Sequence, residues 1–119
     1  MRLRIANTIA LGVALASSLA LATDVGVGSQ RIEVVAKRYS FVPDHITVKR
    51  GQAVTLVLRS TDVTHGLEVK GLNFNVEIRK GAPTEVTFSP QQTGTFEGKC
   101  SHFCGVGHGS MRFTVEVVE

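Results

Sequence analysis

The stretch Cys100–Met111, CSHFCGVGHGSM, gathers two thiols, two imidazoles and a thioether into twelve residues. These are the softer donors a protein has, and thiolate and thioether ligands select soft metals over oxygen-preferring ions. Gly105, Gly107 and Gly109 interrupt any regular structure across the stretch and allow tight turns, so that the side chains of Cys100, Cys104 and His108 can converge. The stretch therefore reads as a loop, and what flanks it decides the architecture.

Both flanks alternate apolar and polar residues with period two. After it, MRFTVEVVE places Met111, Phe113, Val115 and Val117 on one face. Before it, HITVKR, AVTLVLRS, GLEVKG, FNVEIRKG and PTEVTFSP do the same, RIEVVAKR carries β-branched residues and GTFEGKC leads into the loop, with Gly and Pro between them. In AVTLVLRS, Val54, Leu56 and Leu58 take one side and Thr55, Val57 and Arg59 the other. Short strands at this spacing mark an all-β antiparallel sandwich or barrel. No segment after Gln30 carries a helical period, and no repeat or low-complexity stretch is present. KRYSF, with two charges and two aromatics, reads as a strand edge, and His45 in PDHITV as a plain strand residue.

The first residues read as a secretory signal. MRLR is basic, Ile5–Ala22 is apolar and small, and Ala20-Leu21-Ala22 forms an A-x-A cleavage site. The competing expectation is a single uncleaved anchor, since the apolar run is at the lower edge of bilayer-spanning length. Residues 1–22 are thus assigned to signal or anchor, 23–30 to a flexible lead-in and 31–119 to one domain. Removing 22 of 119 residues leaves 97, enough for one core. It also removes Arg2 and Arg4 from thirteen basic residues, so eleven stand against ten acidic ones. A net charge near +1 and the absence of a long basic run argue against a nucleic-acid partner. The expected location is the periplasm or the outer face of the cytoplasmic membrane, with membrane contact only if the N-terminal segment is uncleaved.

In such a compartment two cysteines suggest a disulfide. A bridge closing so small a loop would add little stability, and it would explain neither His65 nor Met111. Cys104, His108 and Met111 instead supply three donors of a blue-copper type of site. His65, at a strand end in TDVTHGLEV and followed by glycine, is the natural distant imidazole. Cys100 adds a second thiolate, and two thiolates can bridge two copper ions that share one unpaired electron.

The spacing C-x3-C-x3-H-x2-M with an upstream HG resembles the binuclear copper A centre of cytochrome c oxidase subunit II and of the nitrous-oxide reductase copper A domain. The resemblance runs from about Tyr39 to Val118. It implies a cupredoxin-like Greek-key β-sandwich and two copper ions bridged by Cys100 and Cys104. His65 and the weak ligand Met111 would serve one ion, and His108 and the backbone carbonyl of His102 the other. Oxidases commonly carry Glu or Gln where His102 stands, and a carbonyl ligand does not depend on that side chain, which is expected at the surface. The sequence lacks the membrane hairpin of a typical subunit II, the catalytic domain of the reductase and any tryptophan, so a bare copper A domain is expected.

The function so implied is one-electron transfer, from a donor such as cytochrome c to a terminal oxidase or reductase. Periplasmic copper delivery or storage, and a mononuclear blue or red copper carrier, are the competing readings. All good ligand positions are filled by protein, so no catalysis is expected from this chain alone. It would act at most as the electron-accepting subunit of a cytochrome c oxidase-like complex.

Overall fold

The alternation becomes nine strands in a computed structural model, which describes residues 30–119 and the isolated positions Gly12 and Ala14. Apart from those two positions, the signal or anchor expected over 1–22 and most of the lead-in lie outside the described residues. In chain order the strands are β1 (Gln30–Lys37), β2 (Ser40–Val42), β3 (His45–Lys49), β4 (Val54–Ser60), β5 (His65–Val69), β6 (Phe74–Ile78), β7 (Thr84–Phe88), β8 (Gly94–Lys99) and β9 (Arg112–Val118). Short 3₁₀ turns occupy Lys70–Leu72 and His108–Ser110. Among the described residues no helix is long and apolar enough to cross a membrane.

The strands form two sheets, ordered β2-β1-β4-β7 and β3-β9-β8-β5-β6. A two-sheet all-β sandwich was expected; uniformly antiparallel pairing was also expected, and that is corrected. β1 runs parallel to β4, with Val34 opposite Leu58, and β3 runs parallel to β9, with Val48 opposite Val117. Side chains alternate across a strand whichever way its neighbour runs, so alternation carries no information about direction.

The inward set is the one the alternation selects. Val54, Leu56 and Leu58 of β4 are fully buried, and Phe113, Val115 and Val117 of β9 lie in the same cluster from the facing sheet. Two aromatic pairs tie the sheets together. Phe41 of β2 meets Phe113 of β9 edge-on with centroids 5.9 Å apart, and Phe74 of β6 stacks on Phe88 of β7 at 5.4 Å. On the outer side of β4, Val57 is nearly buried and the Thr55 and Thr87 hydroxyls bond at 2.8 Å, so this central strand is covered on both faces.

The five-stranded sheet sets the position of the site. β8 lies antiparallel to both β5 and β9, with Glu68 opposite Lys99 and Lys99 opposite Arg112. The start of β5, the end of β8 and the start of β9 therefore meet at one end of the sandwich, bringing His65, Cys100 and Met111 together although they are distant in sequence.

Truncating the centre of the core tests this packing. Leu56→Ala removes a fully buried side chain and is expected to cost about 2–5 kcal/mol in urea unfolding, whereas truncating the exposed Val106 should change stability by less than about 0.5 kcal/mol.

Candidate metal centre

His65 opens β5 with no exposed surface. A buried imidazole needs partners for both nitrogens. Its Nε2 lies 2.7 Å from Asp62 Oδ1, and an ionised carboxylate only accepts, so Nε2 carries the proton. Nδ1 is then the free lone pair, and it faces Cys100 Sγ at 3.9 Å. Gly66 follows because nothing larger fits: a Cβ there would overlap the Ser101 hydroxyl and stand 3.0 Å from the His102 amide nitrogen.

The loop is pinned at both ends. The Cys100 amide donates to the Met111 carbonyl at 3.3 Å, and the Ser101 amide to the Gly66 carbonyl at 3.4 Å. Inside it, the His108 amide reaches the Gly105 carbonyl at 3.1 Å and the Ser110 amide the Gly107 carbonyl at 3.0 Å. Of the three loop glycines, Gly105 has a left-handed φ of 137°. Gly107 has φ −88°, open to any residue, and is glycine for another reason: a Cβ there would lie 2.5 Å from the ring of Tyr39.

The two sulfurs are the centre of the donor set. Cys100 Sγ and Cys104 Sγ are 3.8 Å apart, far beyond the roughly 2.05 Å of a disulfide, and both cysteines are free. Around Cys100 lie His65 Nδ1 and, at 3.2 Å, the His102 carbonyl oxygen. Around Cys104 lie His108 Nδ1 at 3.7 Å and Met111 Sδ at 3.5 Å. The donor atoms of His65, Cys100 and Cys104 fall within 4.8 Å of one another.

Each sulfur thus has one imidazole and one weaker donor beside it. The lone pairs aimed at the thiols are those a soft metal ion would take when it replaces the thiol protons. Two thiols this close could together hold a soft metal ion. All six donors named from the sequence are therefore brought together.

The surroundings are dry on one side and open on the other. Cys100, Cys104 and Met111 are almost fully buried; His108 is half-buried. Burial pushes the Cys104 thiol up to about 11, helped by the hydrogen bond and charge of Cys100. For the Asp62 carboxyl burial acts upward, but hydrogen bonds from the Arg38 amide, His65 and the Val63 amide outweigh it and hold the group at about 2. The His102 side chain is exposed, with Nδ1 3.1 Å from the Phe103 carbonyl, so only its backbone faces the sulfurs. His45 is likewise a surface residue, paired with Glu116 at 3.1 Å.

Sequence reasoning missed Asp62, Arg38 and Tyr39. A carboxylate three residues before a ligand-type histidine was a signal available for Asp62. Arg38 and Tyr39 meet the loop only through the fold.

Comparison with known proteins places these observations. Residues 7–111 match the family model of the cupredoxin-like domain. Over 94 residues the chain is 32% identical to cytochrome c oxidase subunit 2 of Thermus thermophilus, covering 79% of this chain and 70% of that one. It covers smaller shares of other subunit 2 sequences, such as 30% of the probable subunit 2 of Rickettsia prowazekii at 28% identity. Among solved structures, a heme-copper terminal oxidase dimer contains a chain with TM-score 0.69 and 28% identity, covering 79% of this chain and 68% of that chain. The periplasmic domain of subunit II of cytochrome oxidase from Bradyrhizobium japonicum superposes with TM-score 0.71 at 20% identity, covering 76% and 84%, a likeness of fold.

The raised Cys104 thiol gives a pH signature. Its folded value of about 11 lies above the ordinary 9.0, so the folded metal-free chain binds more protons than the unfolded chain between those values. Stability is full below pH 9 and falls as pH rises through about 11, by on the order of 2–3 kcal/mol. Urea unfolding of the reduced, metal-free chain across that range should show the loss, and Cys104→Ser should flatten it.

Proposed function

The chain belongs to the cupredoxin-like family and, within it, to the cytochrome c oxidase subunit 2 family, and from that premise we propose that it carries single electrons through a binuclear copper A centre. The observation that carries this reading is the symmetric donor set around Cys100 and Cys104. A mononuclear site needs one thiolate; here two buried thiols stand 3.8 Å apart, each with its own imidazole and its own weak donor.

Cys100 and Cys104 would hold both ions. His65 and Met111 would serve one, His108 and the His102 carbonyl the other, so each ion would take its imidazole from beside one sulfur and its weak donor from beside the other. A thiolate-bridged copper pair supplies a site that accepts and releases one electron while spreading the charge over both ions.

The protein's part is to hold six donors in place and keep water away. Fixed donors lower the rearrangement that accompanies a change of charge, and here His65, Cys100 and Met111 stand at or beside the ends of three paired strands. Asp62 holds the His65 tautomer, and the apolar end of the sandwich covers His65, both sulfurs and Met111. With every donor supplied by the protein, no position is kept for a substrate, so transfer of electrons rather than bond-making is the chemistry offered.

His108 marks the side on which electrons would cross. It is half-buried, its ring lies 5.7 Å from that of Phe103, and Phe103 and Val106 are 73% and 98% exposed. An apolar rim around a half-buried ligand suits brief contact with a redox protein, such as a cytochrome c as donor and a terminal oxidase or reductase as acceptor. This would place the domain in the periplasm or on the outer face of the cytoplasmic membrane.

Protein-film voltammetry of the copper-loaded chain tests the proposal. A reversible one-electron wave is expected. Met111→Leu should keep the copper and shift the wave, because a weak thioether donor would tune the site rather than hold it. Cys100→Ser should replace the spectrum with that of another site. A loaded chain with no reversible wave would overturn the reading, and rapid transfer of its copper to an acceptor apo-domain would then identify copper delivery.

A further inference from the structure

The corner between β1 and β2 contributes no donor to the centre, yet it touches the metal loop on two sides. Arg38 Nε donates to the Cys104 carbonyl at 2.9 Å. The Arg38 amide donates to Asp62 Oδ2 at 2.7 Å, and the other oxygen of that carboxylate holds His65 Nε2 at 2.7 Å and accepts from the Val63 amide at 2.6 Å. One residue therefore links the cysteine side of the centre to the histidine that arrives from β5. Beside it, the Tyr39 ring lies against the backbone of Gly105 and Gly107, where a Cβ on either glycine would collide with it.

We propose that Arg38 and Tyr39 are positioning residues that clamp the metal loop onto the sandwich, Arg38 by hydrogen-bonding the Cys104 carbonyl and Tyr39 by seating its ring on the Gly105–Gly107 backbone. This deepens the copper A reading and rests on it for its consequence, though not for its geometry. Three features carry it. The Arg38 bond crosses 66 residues of sequence and ends on the carbonyl of a ligand residue. Gly107, with an ordinary φ of −88°, is denied a side chain by the Tyr39 ring. Among the described residues, no strand pairs with the loop between Cys104 and Met111, and its internal bonds join its own turns. Without the corner, Cys104 and His108 would depend on those turns alone. Groups that orient metal ligands from outside the ligand set typically change metal affinity about 10–100-fold when removed.

The test uses the full chain and two readouts, one with copper and one without. Amide hydrogen exchange across residues 100–111 of the reduced, metal-free chain reads the clamp itself. The rate of copper loss from the loaded chain to excess bathocuproine disulfonate reads its consequence. Arg38→Met removes the donor while keeping an unbranched chain. It is expected to speed loop exchange roughly tenfold, the equivalent of one charge-assisted hydrogen bond, and copper loss at least about tenfold. Arg38→Gln places an amide N–H at the ε position without the charge, and should restore both to within about threefold of the original chain.

Gly107→Ala should loosen the loop as Arg38→Met does, and should add nothing further in a Tyr39→Ala background. The proposal is overturned if Arg38→Met leaves loop exchange unchanged, if Arg38→Gln behaves as Arg38→Met, or if Gly107→Ala is harmless with Tyr39 present. If loop exchange responds as expected while the original chain takes up no copper pair, the copper A reading fails and the clamp stands.

Discussion

The structure depends on a requirement of convergence: donors from one loop and one distant strand must meet within about 4 Å inside a dry protein end. The demanding member is His65. Fully buried, it can present Nδ1 to the sulfurs only because Asp62 takes the proton-bearing Nε2. The position of Asp62 in turn requires the Arg38 amide and thus the end of β1. The order β9-β8-β5 brings the remaining donors to the same place. A different strand order would leave the same residues in the sequence and no site.

A sandwich supplies stiffness in the direction such a centre needs. The strands ending at the site carry their inward residues in one continuous apolar cluster that includes Cys100, Cys104 and Met111 themselves. Met111 is the first inward residue of the β9 face and its sulfur stands 3.5 Å from Cys104 Sγ, so core packing holds the side chain that faces the sulfurs. Moving that sulfur means disturbing the core, which is why the centre needs few further bonds on this side. The opposite side, from Gly105 to Gly109, has no such backing, and there the corner at Arg38 and Tyr39 supplies it.

Much of this was legible in the sequence. The strands carry clean alternation, and soft donors are rare enough that two cysteines, a histidine and a methionine at fixed spacings mark one loop. His65 was legible from the glycine after it, which the Ser101 hydroxyl and the His102 amide nitrogen leave no room to replace. Strand direction was not legible, because Val54, Leu56 and Leu58 face inward whether β1 runs with β4 or against it. Asp62, three residues before His65, had a local signal in that spacing; Arg38 and Tyr39 had none, because their roles are contacts to a carbonyl and two glycines far along the chain. KRYSF does form a strand corner at the sheet edge, as its composition suggests, but the same corner also covers the loop.

The central claim is that two coppers share one electron between Cys100 and Cys104. Low-temperature electron paramagnetic resonance of the copper-loaded chain, with copper counted on the same sample, tests it most directly. An electron delocalised over two equivalent copper nuclei gives seven hyperfine lines, and the account predicts that pattern with two coppers per chain. Four lines with one copper per chain would contradict it and leave a mononuclear site in which Cys100 takes no part.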